Sequence, residues 1–118
     1  MRSNEFITEG RRGLNNTNHI IYCLKNKVTG DIYVGVTLAG KDPDHSLKVR
    51  WQKHVRRALT EKRQWTLCIA IRKYKPENFE TSILEKVKGK LNAHRREHEI
   101  ISELKPKLNV AHYESKDK

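Results

Sequence analysis

The chain has 118 residues and a mass of 13.9 kDa, with 25 Lys and Arg against 14 Asp and Glu for a formal net charge of +11. At 36% hydrophobic and 33% charged residues, it holds apolar material for one small core and not for two. No apolar stretch approaches the roughly 18 residues that cross a bilayer, so no membrane partner is expected.

The opening stretch, residues 1–18, is polar and Asn-rich and lacks the apolar centre of a secretory leader. It reads as a flexible arm, residues 112–118 as a disordered tail, and residues 19–111 as the single domain between them. His19–Leu24 and Asp31–Val36 are β-rich runs. Lys25–Gly30 between them has turn chemistry, with Gly30 suited to positive φ, and together they predict an antiparallel hairpin. Cys23 and Cys68 sit in apolar runs without CxxC spacing and read as reduced core residues of a cytoplasmic protein.

Residues 38–45 form a loop, and Ser46 is placed to cap a helix over Leu47–Leu59 whose buried stripe is Leu47, Trp51, Val55 and Ala58. A shorter helix follows over Trp65–Tyr74 and ends before Pro76. Phe79–Val87 reads as a third strand, and a last helix runs from about Leu91 to Leu104, stopped by Pro106. The order ββααβα predicts an α/β (α+β) domain, a small sheet covered by helices.

The chemistry begins with an anomaly in the last helix. At about 100° per residue, Ala93, Ile100, Ile101 and Leu104 define its apolar centre, and Glu97 falls near that centre. A carboxylate there must be paired, protonated or bound to a cation. The bland solution is an arginine partner or a tip that reaches water; the functional one is a metal ligand or an acid/base group. Arg50 and His54, four residues apart, project from one side of the first helix, where they suit a phosphate clamp and a proton carrier. Tyr22 and Tyr33 stand one on each hairpin strand. His94-Arg95-Arg96-Glu97-His98 also matches H-x-x-E-H, an inverted zinc-peptidase signature. However, both histidines lie off the apolar centre, and the chain is short and basic for a peptidase.

At these residues the sequence resembles the GIY-YIG nuclease family, and in pattern the catalytic domain of phage intron-homing endonucleases. Ile20-Ile21-Tyr22 stands where the GIY triplet belongs, and Tyr33-Val34-Gly35 where YIG belongs. Arg50–His54 is similar to the family's arginine helix, Phe79–Glu85 to its third strand, Glu97 to its metal-binding glutamate and Pro106–Asn109 to its closing segment. Ile20 replaces the first glycine of the pattern, and Trp65 stands where some homing relatives carry a histidine.

The resemblance implies a three-stranded antiparallel sheet flanked by helices and a phosphodiester-cleaving DNA endonuclease. Tyr22 would deprotonate or hold the attacking water, Tyr33 would hydrogen-bond the nucleophile or a phosphate oxygen, and Arg50 and His54 would act on the same phosphate. Glu97 would hold one divalent cation, and Asn109 would position Glu97 or the phosphate. Mg²⁺ suits a single carboxylate with waters and substrate oxygens, with Mn²⁺ as a substitute. Lys25, Lys27, Lys48, Lys53, Arg56 and Arg57 are the DNA-contacting candidates, and Lys25 or Lys27 would also lend positive charge to the tyrosine base. The expected partner is double-stranded DNA, with a homodimer for double-strand breaks. The expected site of action is the cytoplasm, or a host cytoplasm for a phage-encoded protein. The alternative is a non-catalytic DNA- or RNA-binding module on a degenerate nuclease fold.

Overall fold

The computed structural model describes residues 17–110, so most of the expected arm and the whole tail lie outside the described residues. The two described residues of that arm already join the sheet. Gly89 N donates to Thr17 O at 2.7 Å and Ala39 N to Asn18 O at 2.8 Å.

Three antiparallel strands, β1 (Asn18–Asn26), β2 (Ile32–Leu38) and β3 (Phe79–Lys88), form a sheet of order β2-β1-β3. The hairpin turn closes as its composition predicts. The buried Asn26 side chain accepts from Val28 N at 2.9 Å, and Gly30 takes φ 84°, a left-handed value open to glycine without a Cβ clash. Pairing of β1 with β3 shifts between Ile21 and Tyr22, a bulge that leaves the side chain of Leu84 42% exposed.

Helix α1 (Pro43–Leu59) starts four residues before the predicted boundary. The cap is Asp42, whose carboxylate accepts from Asp44 N and His45 N, and Pro43 opens the first turn, where its missing N–H leaves no bond unmade. Ser46, expected as the cap, instead accepts from Gly40 N at 2.9 Å and ties down the preceding loop. Helix α2 (Thr66–Tyr74), a 3-10 turn at Pro76–Asn78, helix α3 (Lys90–Leu104) and a second 3-10 turn at Lys107–Asn109 complete the described domain.

The alternation of side chains along β1 splits the core in two. Ile20, Tyr22 and Leu24 face α1 and α2 and pack with Leu47, Leu67 and Ile71. Ile21 faces the other way, with Val34, against Ile100 of α3. Ile20 is fully buried in the larger cluster, so the replacement of the pattern's glycine fills the core without breaking the strand. The α1 stripe also shifts: Leu47, His54 and Ala58 are its buried residues, while Trp51 and Val55 are half-buried and Trp51 rests on Phe79 at 5.6 Å between ring centroids. Leu104, predicted in the centre of the last helix, is 48% exposed, because the chain turns at Lys105 (φ 49°) and buries Leu108 in the opposite cluster. Both cysteines are buried and unpaired. No helix among the described residues is long and apolar enough to cross a membrane.

Candidate active site

Tyr22, on the central strand, is 1% exposed, and its hydroxyl lies 2.9 Å from His54 Nε2. It lies so close to β2 because residue 35, its cross-strand partner, is glycine. A Cβ at Gly35 would meet Tyr22 Oη at 2.5 Å and Tyr33 Cε2 at 2.9 Å. Gly35 is therefore a structural requirement of the tyrosine pair, signalled in the sequence by a glycine inside a strand. Tyr33 completes the group: its ring centroid lies 6.3 Å from that of Tyr22 and 5.3 Å, edge-on, from that of His54.

Arg50, one turn before His54 on α1, donates its Nε–H to Tyr22 Oη over a long 3.4 Å. With Oη accepting from Arg50, the phenol's own proton is free to be donated to His54 Nε2, and the neutral imidazole then carries its hydrogen on Nδ1. That Nδ1 is buried and has no partner.

The environment holds these groups neutral. Burial pushes the Tyr22 phenol well above its ordinary range, and Tyr33 and Glu97 push the same way, opposed by the hydrogen bond and charge of Arg50. Tyr33 is raised by burial and by Glu97, against Arg50 and Arg57. Burial, then Arg50, Arg57 and Lys53, pulls His54 down to about 4. The charges acting on the phenols are thus Arg50, Arg57 and Glu97. Lys25 and Lys27 are exposed at the turn end of the hairpin and are not among them.

From α3, Glu97 acts on both tyrosines through its charge. Its side chain is 18% exposed and its one ionic neighbour among the described residues is His94 Nδ1, 3.7 Å away. The arginine that could have neutralised it is engaged elsewhere, as Arg96 pairs with Glu85 at 2.9 Å and with Glu99 at 3.0 Å. Desolvation consequently raises the Glu97 pKa, only partly offset by His94 and His98. A half-buried carboxylate without a strong cationic partner fits one hard cation that keeps waters as its other ligands. Among the described residues no three His, Cys, Asp or Glu side chains cluster as an all-protein metal cage. His94 and His98 are exposed, which places the H-x-x-E-H match on a solvated helix face. Arg50 and His94 line one cavity of about 430 Å³ beside Val36 and Thr37 of β2, so side chains of α1 and α3 face a common space at this outer strand.

Asn109 takes a different place from the one expected. Its carboxamide accepts from Val34 N at 2.7 Å and donates to Val34 O at 2.8 Å. Both ends are occupied by the main chain of β2, so Asn109 acts as a one-residue strand partner that closes part of the sheet edge rather than as a hand on Glu97. Of the basic candidates, Lys53 lines a cleft with Arg50, Arg57 lies over the Trp65 ring at 5.6 Å, Arg56 is 3.9 Å from Glu61, and Lys48 is exposed.

The order of strands, the paired tyrosines, the arginine one turn before the histidine and the glutamate on the last helix together define a GIY-YIG nuclease domain. The family profile, the GIY-YIG catalytic domain, matches residues 18–109, and the chain belongs to that family. The solved catalytic domain of the homing endonuclease I-TevI is 30% identical, with TM-score 0.58, over 77% of this chain and 92% of that one. A glutamate-to-alanine variant of the I-TevI catalytic domain aligns at 30% identity and TM-score 0.60, over 80% and 91%. No curated protein matches the chain significantly. The protein is a GIY-YIG-type endonuclease, an enzyme whose family acts on DNA and is generally dependent on divalent metal ions.

Proposed function

We propose that this enzyme hydrolyses phosphodiester bonds of double-stranded DNA, with Tyr22 and His54 handling the proton of the attacking water and Glu97 holding one Mg²⁺ or Mn²⁺. The observation that carries the reading is the chain Arg50 Nε–Tyr22 Oη–His54 Nε2, at 3.4 and 2.9 Å, running from a half-buried guanidinium to a buried imidazole, with the Glu97 charge acting on Tyr22. A phenol raised this far by burial is a poor free base. Tyr22 Oη therefore takes the proton of the water as it passes its own to His54 Nε2, so no isolated phenolate forms. Three cations that depress His54 are Arg50, Arg57 and Lys53. A bound phosphate offsets their charge, which makes the imidazole a better acceptor when substrate is present.

Arg50 carries the charge that grows on the phosphorane oxygens, a contact stronger in the transition state than in the ground state. Tyr33 orients the nucleophile or a phosphate oxygen from the other side of the pair. A cation on Glu97, when bound, supplies Lewis-acid stabilisation of the phosphate and of the leaving oxygen. One such site cuts one strand, so a double-strand break takes a second copy or a second encounter, and the setting is the cytoplasm of the cell or of a phage host.

The test is supercoiled plasmid incubated with Mg²⁺ and either the native protein or Glu97→Ala. Native protein is expected to nick and then linearise the DNA. The variant is expected to bind with similar or higher affinity and to leave the plasmid intact. Cleavage retained in Glu97→Ala removes Glu97 as the metal ligand. Binding without cleavage by the native protein under any divalent ion makes the domain a binding module.

A further inference from the structure

Beside the tyrosines, on the α1–α2 side, lies a second cavity of about 360 Å³, the size of a small-ligand cleft (roughly 300–1,000 Å³). Trp65 forms one wall, Tyr33 and His54 form the wall shared with the catalytic group, and Leu67 and Val110 help close it. Trp65 caps the start of α2, is half-buried against the core, and lines the cavity. Two guanidinium groups lie over it, Arg63 at 4.8 Å and Arg57 at 5.6 Å from the ring centroid.

They differ in their other partners. Arg63 donates to Glu61 at 2.8 Å, whereas Arg57 has no carboxylate partner among the described residues and its charge also acts on Tyr33. Arg57 thus covers the indole while its charge acts on the catalytic phenol as well as on Glu61. The loop that carries Arg63 and Trp65 is held in advance. The Arg72 guanidinium donates to Ala58 O and Arg63 O, each at 2.9 Å, and to Gln64 Oε1 at 3.2 Å. His54 lines the same cavity, and its Nε2 is held by the Tyr22 hydroxyl, so the cavity abuts the catalytic group directly.

An apolar slot with an aromatic wall and a guanidinium in its lining has the chemistry of a nucleotide rather than of a duplex backbone, which needs only charge. We infer that the cavity is a nucleobase subsite in which Trp65 stacks on an unpaired base next to the phosphate being cut, while Arg57 holds the phosphate on the far side of that nucleotide. This rests on the nuclease reading of the tyrosine cluster and narrows its substrate to DNA that offers an unstacked base there, at a bulge, a frayed end or a branch. A fully paired duplex must first extrude the base and lose its pairing and stacking.

The experiment measures binding alone, without divalent ions, by the full chain. The probes are a fully paired oligonucleotide duplex and the same duplex with one unpaired 2-aminopurine. The native protein is expected to favour the unpaired probe and to change its 2-aminopurine emission. Trp65→Ala is expected to lose about 5- to 100-fold in affinity for the unpaired probe, the span of one base–aromatic stack, with little change for the paired one. Trp65→Phe retains most of the preference, and Trp65→Leu, which fills space without stacking, loses it. This pair carries the test if Trp65→Ala does not fold. Equal losses on both probes, or an unchanged preference in Trp65→Leu, overturn the subsite. Plasmid cleavage with an unchanged preference in Trp65→Leu removes the subsite and leaves the nuclease reading standing. Loss of preference in Trp65→Leu with no cleavage by native protein does the reverse.

Discussion

The two faces of the sheet are built to different thickness, and the chemistry divides along the same line. The face under α1 and α2 is a broad core around Ile20, Leu24, Leu67 and Ile71. The face under α3 is a thin seam of Ile21, Val34 and Ile100. Phenol and imidazole can be buried neutral, and they occupy the thick face; the carboxylate, which is charged at neutral pH unless strongly shifted, stands half-buried on the thin one. In the mechanism proposed above, the thick side fixes the atoms that exchange a proton, and the thin side keeps a charge near water, where a hydrated cation would have access.

The sharpest way to break this division is Tyr22→Phe, which keeps the ring of the thick face and removes only Oη. Single-turnover cleavage is expected to fall by about 10²- to 10⁴-fold, the usual worth of a positioned acid–base group, with thermal unfolding close to native. A normal rate would move proton handling away from this face. Gly35→Ala tests the spacing rather than the atom. The new Cβ would lie 2.5 Å from Tyr22 Oη, so the ring must shift. Cleavage is expected to drop at least about tenfold along with a stability loss of about 1–3 kcal/mol in urea unfolding. A native rate and midpoint would mean that the pair tolerates displacement.

Acid separates the two faces by sign. His54 has a folded pKa of about 4 against 6.5 for the free side chain. Between those values the unfolded chain binds a proton that the folded chain does not, so stability falls as pH drops from 6.5 to 4, by about 3 kcal/mol at roughly 1.4 kcal/mol per unit. Urea unfolding at pH 7 and at pH 4.5 measures the loss, and His54→Gln is expected to flatten most of it. An equal slope in the variant would place the titrating group elsewhere.

How much of this was legible before the fold was known follows from the range of each interaction. The hairpin was, because Asn26 and Gly30 set its turn from within six residues. The start of α1 was not, since Asp42-Pro43-Asp44 reads as a loop until the proline is seen at the first helical position. His54 was legible as a functional group but not as the centre of the buried stripe. Its burial depends on a hydroxyl 32 residues away that satisfies one ring nitrogen. Asn109 could be picked out by pattern, yet its partner, the main chain of Val34 75 residues earlier, has no signature in either segment. Glu97 was the most legible of all, because helical period alone puts a carboxylate on an apolar face, and the structure then leaves it without an arginine. Trp65 and Arg57 each stand out in the sequence, one as a departure from a histidine and the other as a basic candidate, but eight residues of separation gave no sign that the guanidinium covers the indole.

The smallest effect is expected on the thin face and has the opposite sign from the changes on the thick one. Burial raises the Glu97 pKa above its free value, so at neutral pH its charge opposes folding, and the opposition fades as the carboxyl takes up a proton in acid. Glu97→Gln keeps the shape and removes the charge. Without divalent ions it is expected to melt higher than native protein by roughly 1–4 °C, the response of a small domain to a fraction of a kcal/mol. Mg²⁺ should then raise the melting temperature of native protein and leave that of Glu97→Gln unchanged, because a cation that binds the folded carboxylate adds stability by mass action. A variant that melts lower than native in the absence of metal would show that Glu97 supports the fold, and the contrast between a proton-handling face and a charge-holding one would then lose its second half.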